Sequence, residues 1–157
     1  MATGTFEPIT TTSVNSTSSV TFSSISGLYT DIVFVFDGAA AAGAEFGIRF
    51  NSDTGNNYSS IWFAGGINPT QSSRYAANSY ATFNYVRSSN PATVVAHIQN
   101  YSNTTTYKTV ISRTAEPDNS WLCASSWKNT SAITSITLLS GSNFSNATVS
   151  LYGIKAE

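Results

Sequence analysis

The groups with which this chain could do acid–base or nucleophilic chemistry are few: one histidine, His97, one cysteine, Cys123, and eight carboxylates. A thiolate nucleophile needs a positioned base. Cys123 lies in Trp121-Leu122-Cys123-Ala124, while His97 lies elsewhere, in Val94-Val95-Ala96-His97-Ile98. In such apolar surroundings a lone cysteine packs as a small hydrophobe, and with no second cysteine it forms no intrachain disulfide. On a strand, His97 shares a face with Val95 and Gln99, which reads as a hydrogen-bonded structural histidine rather than a general base. The carboxylates are Glu7, Asp31, Asp37, Glu45, Asp53, Glu116, Asp118 and Glu157. Glycoside hydrolysis needs two of them facing each other across a sugar, and their spacing proposes no pair. Zinc wants several His or Cys ligands. Phosphate loop, nucleophile elbow, H-E-x-x-H and C-x-x-C are all missing from the chain. The chain is therefore read as non-enzymatic, without metal or cofactor.

Two features run against that reading. In Asn51-Ser52-Asp53-Thr54-Gly55-Asn56-Asn57, oxygen-bearing side chains alternate as in a Ca²⁺ loop. The segment lacks the second carboxylate and the distal Glu of an EF-hand. The stronger reading is a tight hairpin, with Gly55 at positive φ and Asp53 making an Asx turn. Trp62, Trp121 and Trp127, with eight tyrosines, could form platforms on which sugars stack. Aromatic side chains also dominate cores and interfaces, and without accompanying charge or metal signals packing is the stronger reading.

Such residues need a frame, and the pattern along the chain is that of strands. Val20, Phe22 and Ser24 share one face. Ile32, Phe34 and Phe36 share the next, with Val33 and Val35 behind them, as in a central strand. Phe46, Ile48 and Phe50 alternate with Glu45, Gly47 and Arg49. Further strands are expected over 58–64, 80–87, 93–99, 106–113, 120–127, 132–139 and 147–154, separated by Asn-, Gly-, Pro- and Ser-rich turns. The run Gly38 to Ala44 is too short for an isolated helix and is expected as a loop. The prediction is one all-β domain, a jelly-roll-like two-sheet β-sandwich of about eight to ten strands, built as two four-stranded sheets. An immunoglobulin sandwich is the alternative, but its cysteine pair is missing. The sandwich is expected over 18–157. Residues 1–17 are expected as an extended N-terminal arm with Phe6, Pro8 and Ile9 as its anchors on a neighbouring subunit.

Composition narrows the function. Charged residues make up 10% of the chain, against roughly 25% in ordinary domains. Ser, Thr and Asn supply the polarity instead. Such a surface dehydrates at a contact with a smaller penalty than a charged one, which favours a role in subunit contact. Net charge is −1 with no basic run, so nucleic acid is not expected as a partner. The first residues have neither a basic nor an apolar stretch, and no apolar run reaches about 18 residues, so neither a signal peptide nor membrane insertion is expected. The seven N-x-Ser/Thr sequons, at Asn15, Asn57, Asn100, Asn103, Asn129, Asn143 and Asn146, then follow from composition.

Several segments resemble small virion structural proteins of tailed bacteriophages. They are Gly27-Leu28-Tyr29-Thr30-Asp31-Ile32, Arg49-Phe50-Asn51-Ser52-Asp53-Thr54-Gly55-Asn56-Asn57-Tyr58-Ser59, Val110-Ile111-Ser112-Arg113 with Asp118-Asn119-Ser120, Ala132 to Leu138, and Ser150-Leu151-Tyr152-Gly153-Ile154. The resemblance spans about residues 18 to 155 in order, with Ser52 standing where glycine is common. It implies a capsid decoration (cement) protein: a homotrimer on the capsid surface of the virion that binds the major capsid protein and stabilises its shell. The alternative it implies is a tail or fibre-tip module that binds host surface glycans. The chain has no shaft or collar, which favours the shell.

Overall fold

The computed structural model describes residues 6–67, 69–86 and 90–155. Among them twelve strands form two antiparallel sheets and no helix occurs. In chain order they are β1 (Phe6–Val14), β2 (Ser19–Phe22), β3 (Asp31–Ala40), β4 (Ala44–Phe50), β5 (Tyr58–Gly66), β6 (Gln71–Asn78), β7 (Ala81–Val86), β8 (Ala92–Gln99), β9 (Lys108–Glu116), β10 (Asn119–Trp127), β11 (Ile136–Ser140) and β12 (Phe144–Ile154). One sheet runs β1-β12-β3-β8-β9-β10-β5-β6 and the other β2-β11-β4-β7.

The strand order identifies the architecture. Without β5, β6, β9 and β10, the eight remaining strands stand first–eighth–third–sixth in one sheet and second–seventh–fourth–fifth in the other. That is a jelly roll, a rolled ribbon whose paired halves are β1 with β12, β2 with β11, β3 with β8 and β4 with β7. The expected jelly roll of two four-stranded sheets is thus present, within twelve strands where eight to ten were expected. The additional strands come from two hairpin excursions, β5–β6 between β4 and β7, and β9–β10 between β8 and β11. They join side by side and extend one sheet from four strands to eight.

The core follows from the alternation. Ile32, Phe34 and Phe36 of β3, and Phe46, Ile48 and Phe50 of β4, are fully buried. Phe36 meets Phe46 edge-on at 4.9 Å, Phe46 meets Phe144 edge-on at 5.5 Å, and Phe34 meets Phe83 edge-on at 5.6 Å, the tilted geometry that aromatic quadrupoles favour. Trp127 stacks on Tyr58 beneath Phe50, so for this tryptophan the packing reading is the right one. Gly38 takes a φ of 151° where β12 bulges opposite it, and a Cβ there would stand 2.5 Å from Ala147 Cα. The Gly38–Ala44 run continues β3 to Ala40, leaving residues 41–43 as the connection to β4.

The expected arm needs correction. Residues 6–14 are not a detached segment lying on a neighbour. They are the first strand of the jelly roll and pair along β12 from Phe6↔Ile154 to Val14↔Ala147. Val14 is buried, and a domain boundary at residue 17 divides one sheet. The physical reason is that β12 already has one neighbour, β3, and its other edge is open to main-chain pairing. Residues 1–5 lie outside the described residues.

The Asp53 segment is not a hairpin either. β4 and β5 lie in different sheets, and residues 51–57 cross between them. Asn51 and Ser52, not Gly55, take the left-handed conformation, with φ of 50° and 56°. The Asx turn is as expected, Gly55 N–H donating to Asp53 Oδ1 at 2.9 Å. Asp53 Oδ2 accepts from the Trp127 indole at 2.7 Å and from Asn57 Nδ2 at 2.9 Å. Burial pushes this carboxyl up, but these hydrogen bonds and the Arg49 charge outweigh it and hold its pKa below the usual value. Its oxygens face N–H donors rather than further oxygens, an arrangement opposite to that of a cation site.

Candidate functional site

The eight-stranded sheet has one face turned to the core and one with no element of the described chain over it. The register aligns the outer residues in rows. One row crosses all eight strands: Pro8, Tyr152, Val33, His97, Ile111, Ala124, Ile61 and Arg74. The next runs Thr11, Ser150, Val35, Val95, Arg113, Leu122, Phe63 and Ser72. Their shared centre on β9, β10 and β5 is open and largely apolar, Arg113 being the one charged residue within it. Ile61, Phe63, Ile111 and Leu122 are 42%, 46%, 44% and 51% exposed. In an antiparallel sheet solvated on one side, these positions are ordinarily polar. The eight strands span roughly 34 Å at about 4.8 Å each. With about 20 Å of strand length the face offers on the order of 700 Å², close to one partner's share of a standard protein interface.

The anchors expected in the N-terminal segment divide between two faces. Phe6 and Pro8 are exposed at the margin of this outer face, the Phe6 ring lying 5.8 Å from Tyr152. Ile9 is the extra residue of a bulge and packs against the core instead. His97 sits within the face, beside Val95 and Gln99 as expected. Its Nε2 lies 3.0 Å from Asp31 Oδ2, while Asp31 Oδ1 accepts the Asn100 N–H at 2.7 Å.

A second site lies on the other side of the sheet extension. The four extra strands run on past β7, the edge of the smaller sheet, and cover its open backbone. Ser112 Oγ donates to Phe83 O at 2.7 Å, Ser125 Oγ to Thr82 O at 2.8 Å, and Thr82 N–H to Ser60 Oγ at 3.1 Å. Hydroxyls thus satisfy the edge that would otherwise invite another strand. Beyond this seam a cleft opens, lined by Trp62, Tyr75, Trp121 and Cys123 from the extension and by Glu45, Thr82 and Tyr85 from the smaller sheet. The Trp62 and Trp121 rings lie 5.1 Å apart, and Tyr85 lies 6.1 Å from Trp121. Glu45 Oε1 accepts from Thr82 Oγ1 at 2.7 Å, and Oε2 from the Tyr75 hydroxyl at a long 3.5 Å. Burial, joined by the Glu45 charge, raises the pKa of Tyr75 and of Tyr80. Cys123 is buried in the cleft floor, and burial pushes its thiol up to about 11, so it stays protonated at neutral pH. The sequence reading missed Glu45, Tyr75 and Tyr85 as cleft residues. Alternation marked Glu45 as outward-facing on its strand, and nothing local tied it to tryptophans 17 and 76 positions away.

No family model matches the chain, and no curated protein matches it. Among solved structures, the chain is similar to a toad ovary galectin in complex with thio-digalactose (10% identity, TM-score 0.38, covering 85% of this chain and 99% of that one). It is also similar to the Caenorhabditis elegans galectin LEC-6 (9%, TM-score 0.39, 91% and 94%) and to the PL-14 alginate lyase of Aplysia kurodai (9%, TM-score 0.33, 83% and 70%). The jelly-roll assignment rests on the strand order described above.

Proposed function

We propose that this chain is a non-enzymatic structural protein of a virus particle, a capsid decoration protein that lies on the major capsid protein shell and stabilises it. The observation that carries this reading is the uncovered apolar centre of the outer sheet face, Ile61, Phe63, Ile111 and Leu122. A domain gains nothing in its own fold from holding four large apolar side chains half in water. Against a partner each contributes roughly the 25 cal/mol per Å² that apolar burial supplies. The low charge of the chain supports the same reading, because little has to be desolvated when the face closes. So does the resemblance in the Arg49–Ser59, Val110–Arg113 and Ser150–Ile154 segments to phage virion proteins. A homotrimer, as that resemblance implies, would set three such faces on the shell.

Cosedimentation with particles lacking the protein tests the reading. Wild-type protein is expected to bind to saturation. Phe63→Asp and Leu122→Asp are expected to weaken binding at least tenfold while melting within a few degrees of wild type. Unchanged binding by both variants would remove this face from the account. Failure of the wild type to bind, together with retention on host polysaccharide, would replace the shell reading with the tail or fibre-tip one.

A further inference from the structure

We infer that the cleft beside β7 is a binding site for a small organic cation, an ammonium group carrying methyl or methylene substituents. The inference concerns a different face from the proposed shell contact and stands independently of it. Three observations carry it.

The first is the lining. Trp62, Trp121, Tyr75 and Tyr85 turn aromatic surface toward one cavity, with the Glu45 carboxylate among them. Aromatic faces are electron-rich and attract cations within about 6 Å, most strongly where water is excluded. The second is charge. Glu45 makes no salt bridge among the described residues, and its side chain accepts hydrogen bonds from the neutral hydroxyls of Thr82 and Tyr75. Hydroxyl donors carry no formal charge, so among the described residues the carboxylate beside the tryptophans has no ion-pair partner. A bound cation would neutralise it, and a neutral ligand would leave it as it is. The third is size. The cavity holds about 70 Å³. At the roughly 10–15 Å³ that one water needs, this is room for about five waters, and so for a compact head group of a few non-hydrogen atoms. Five atoms make a trimethylammonium group and its first methylene. A hexose, with more than twice as many, reaches only the rim.

The site is also built rather than incidental. Gly43 leaves open space at the Tyr85 hydroxyl, which a Cβ there would approach to 2.7 Å. The Tyr75 hydroxyl reaches Glu45 Oε2 and Thr82 Oγ1 donates to Oε1, so both oxygens of the carboxylate are tied to the cleft wall. The same ammonium chemistry is offered by a free choline-type headgroup and by a methylated lysine side chain of a protein partner.

Tryptophan fluorescence and proton NMR titrations of the full chain test this with choline and with its uncharged isostere 3,3-dimethylbutanol. Choline is expected to shift the Trp62 and Trp121 indole signals saturably, and the isostere to bind at least tenfold more weakly. Glu45→Gln, which keeps the shape of the side chain, is expected to remove that preference. A trimethyl-lysine peptide binding more tightly than choline would identify the source as protein, and the reverse order a free headgroup. Equal binding of choline and its isostere by the wild-type chain would overturn the inference, as would saturable binding of galactose or glucose with no response to choline. That comparison needs no variant, so it decides the matter even if Glu45→Gln fails to fold.

Discussion

Replacing Asn51 by alanine removes the clip that joins the β4–β5 crossing to the β10–β11 connection. Asn51 Nδ2 donates to Ala132 O at 2.7 Å, and its Oδ1 accepts from Thr134 N at 2.8 Å and Ser135 N at 3.1 Å. At about 1 kcal/mol for each bond to main chain, the three contribute roughly 3 kcal/mol. The Thr134 N–H is open to water, which replaces part of its bond, so about 2 kcal/mol remains. Residue 51 also has a φ of 50°. Asparagine tolerates this left-handed conformation, but alanine loses about 1 kcal/mol there. The sum is about 3 kcal/mol. For a chain of this length 1 kcal/mol moves the midpoint by about 2–4 °C, so Asn51→Ala should melt about 6–12 °C below wild type. Asn51→Asp, which keeps the acceptor and loses the Ala132 bond, should fall by about a third of that. Thermal unfolding followed by circular dichroism measures both. An alanine variant within 2 °C of wild type would refute the reasoning, and with it the view that the Arg49–Ser59 motif serves to tie the β10–β11 connection to the β4–β5 crossing.

Four other outcomes follow from the same structure. Ser52 has a φ of 56°, so Ser52→Gly should relieve up to about 1 kcal/mol of strain, and calorimetry should show a midpoint a few degrees higher. Asp53 has a folded pKa below its unfolded value, so it contributes stability above the ordinary aspartate value of 3.8 that is lost as pH falls through the lower folded value; a pH series of melting curves should show this acid step in wild type and lose it in Asp53→Asn. Chelator should leave the wild-type midpoint unchanged, and a fall of several degrees on removing Ca²⁺ would restore the metal reading of the 51–57 segment. Deleting residues 2–15 should destabilise the fold and expose the β12 edge, with aggregation visible by light scattering, rather than leave an intact sandwich.

Ten of the twelve strands were legible because each buries one face, and burial writes period-two alternation into the sequence. The two missed, β1 and β6, are the edges of the eight-stranded sheet. They pair on one side only and bury little, so Thr, Ser, Gln and Arg suffice and the alternation disappears. The strand expected from Ala132 starts instead at Ile136, because Asn51 takes up the main chain of 132–135 that would otherwise pair. Turn chemistry at Asp53 was read correctly as an Asx turn but wrongly as a hairpin. A turn residue encodes the local bend and not whether the flanking strands pair with each other. The outer face was not legible: strands were expected over 58–64, 106–113 and 120–127, but which side of each faces solvent depends on the two hairpins docking together. The cleft was not legible, since its residues come from five strands that meet only after that docking.

Cryo-electron microscopy of intact particles that carry this protein tests the central claim most directly. The account predicts density for the jelly roll on the capsid shell, with Ile61, Phe63, Ile111 and Leu122 of the outer sheet face against the major capsid protein. Density at the tail or a fibre tip, or on the shell with that face pointing to solvent, would contradict it.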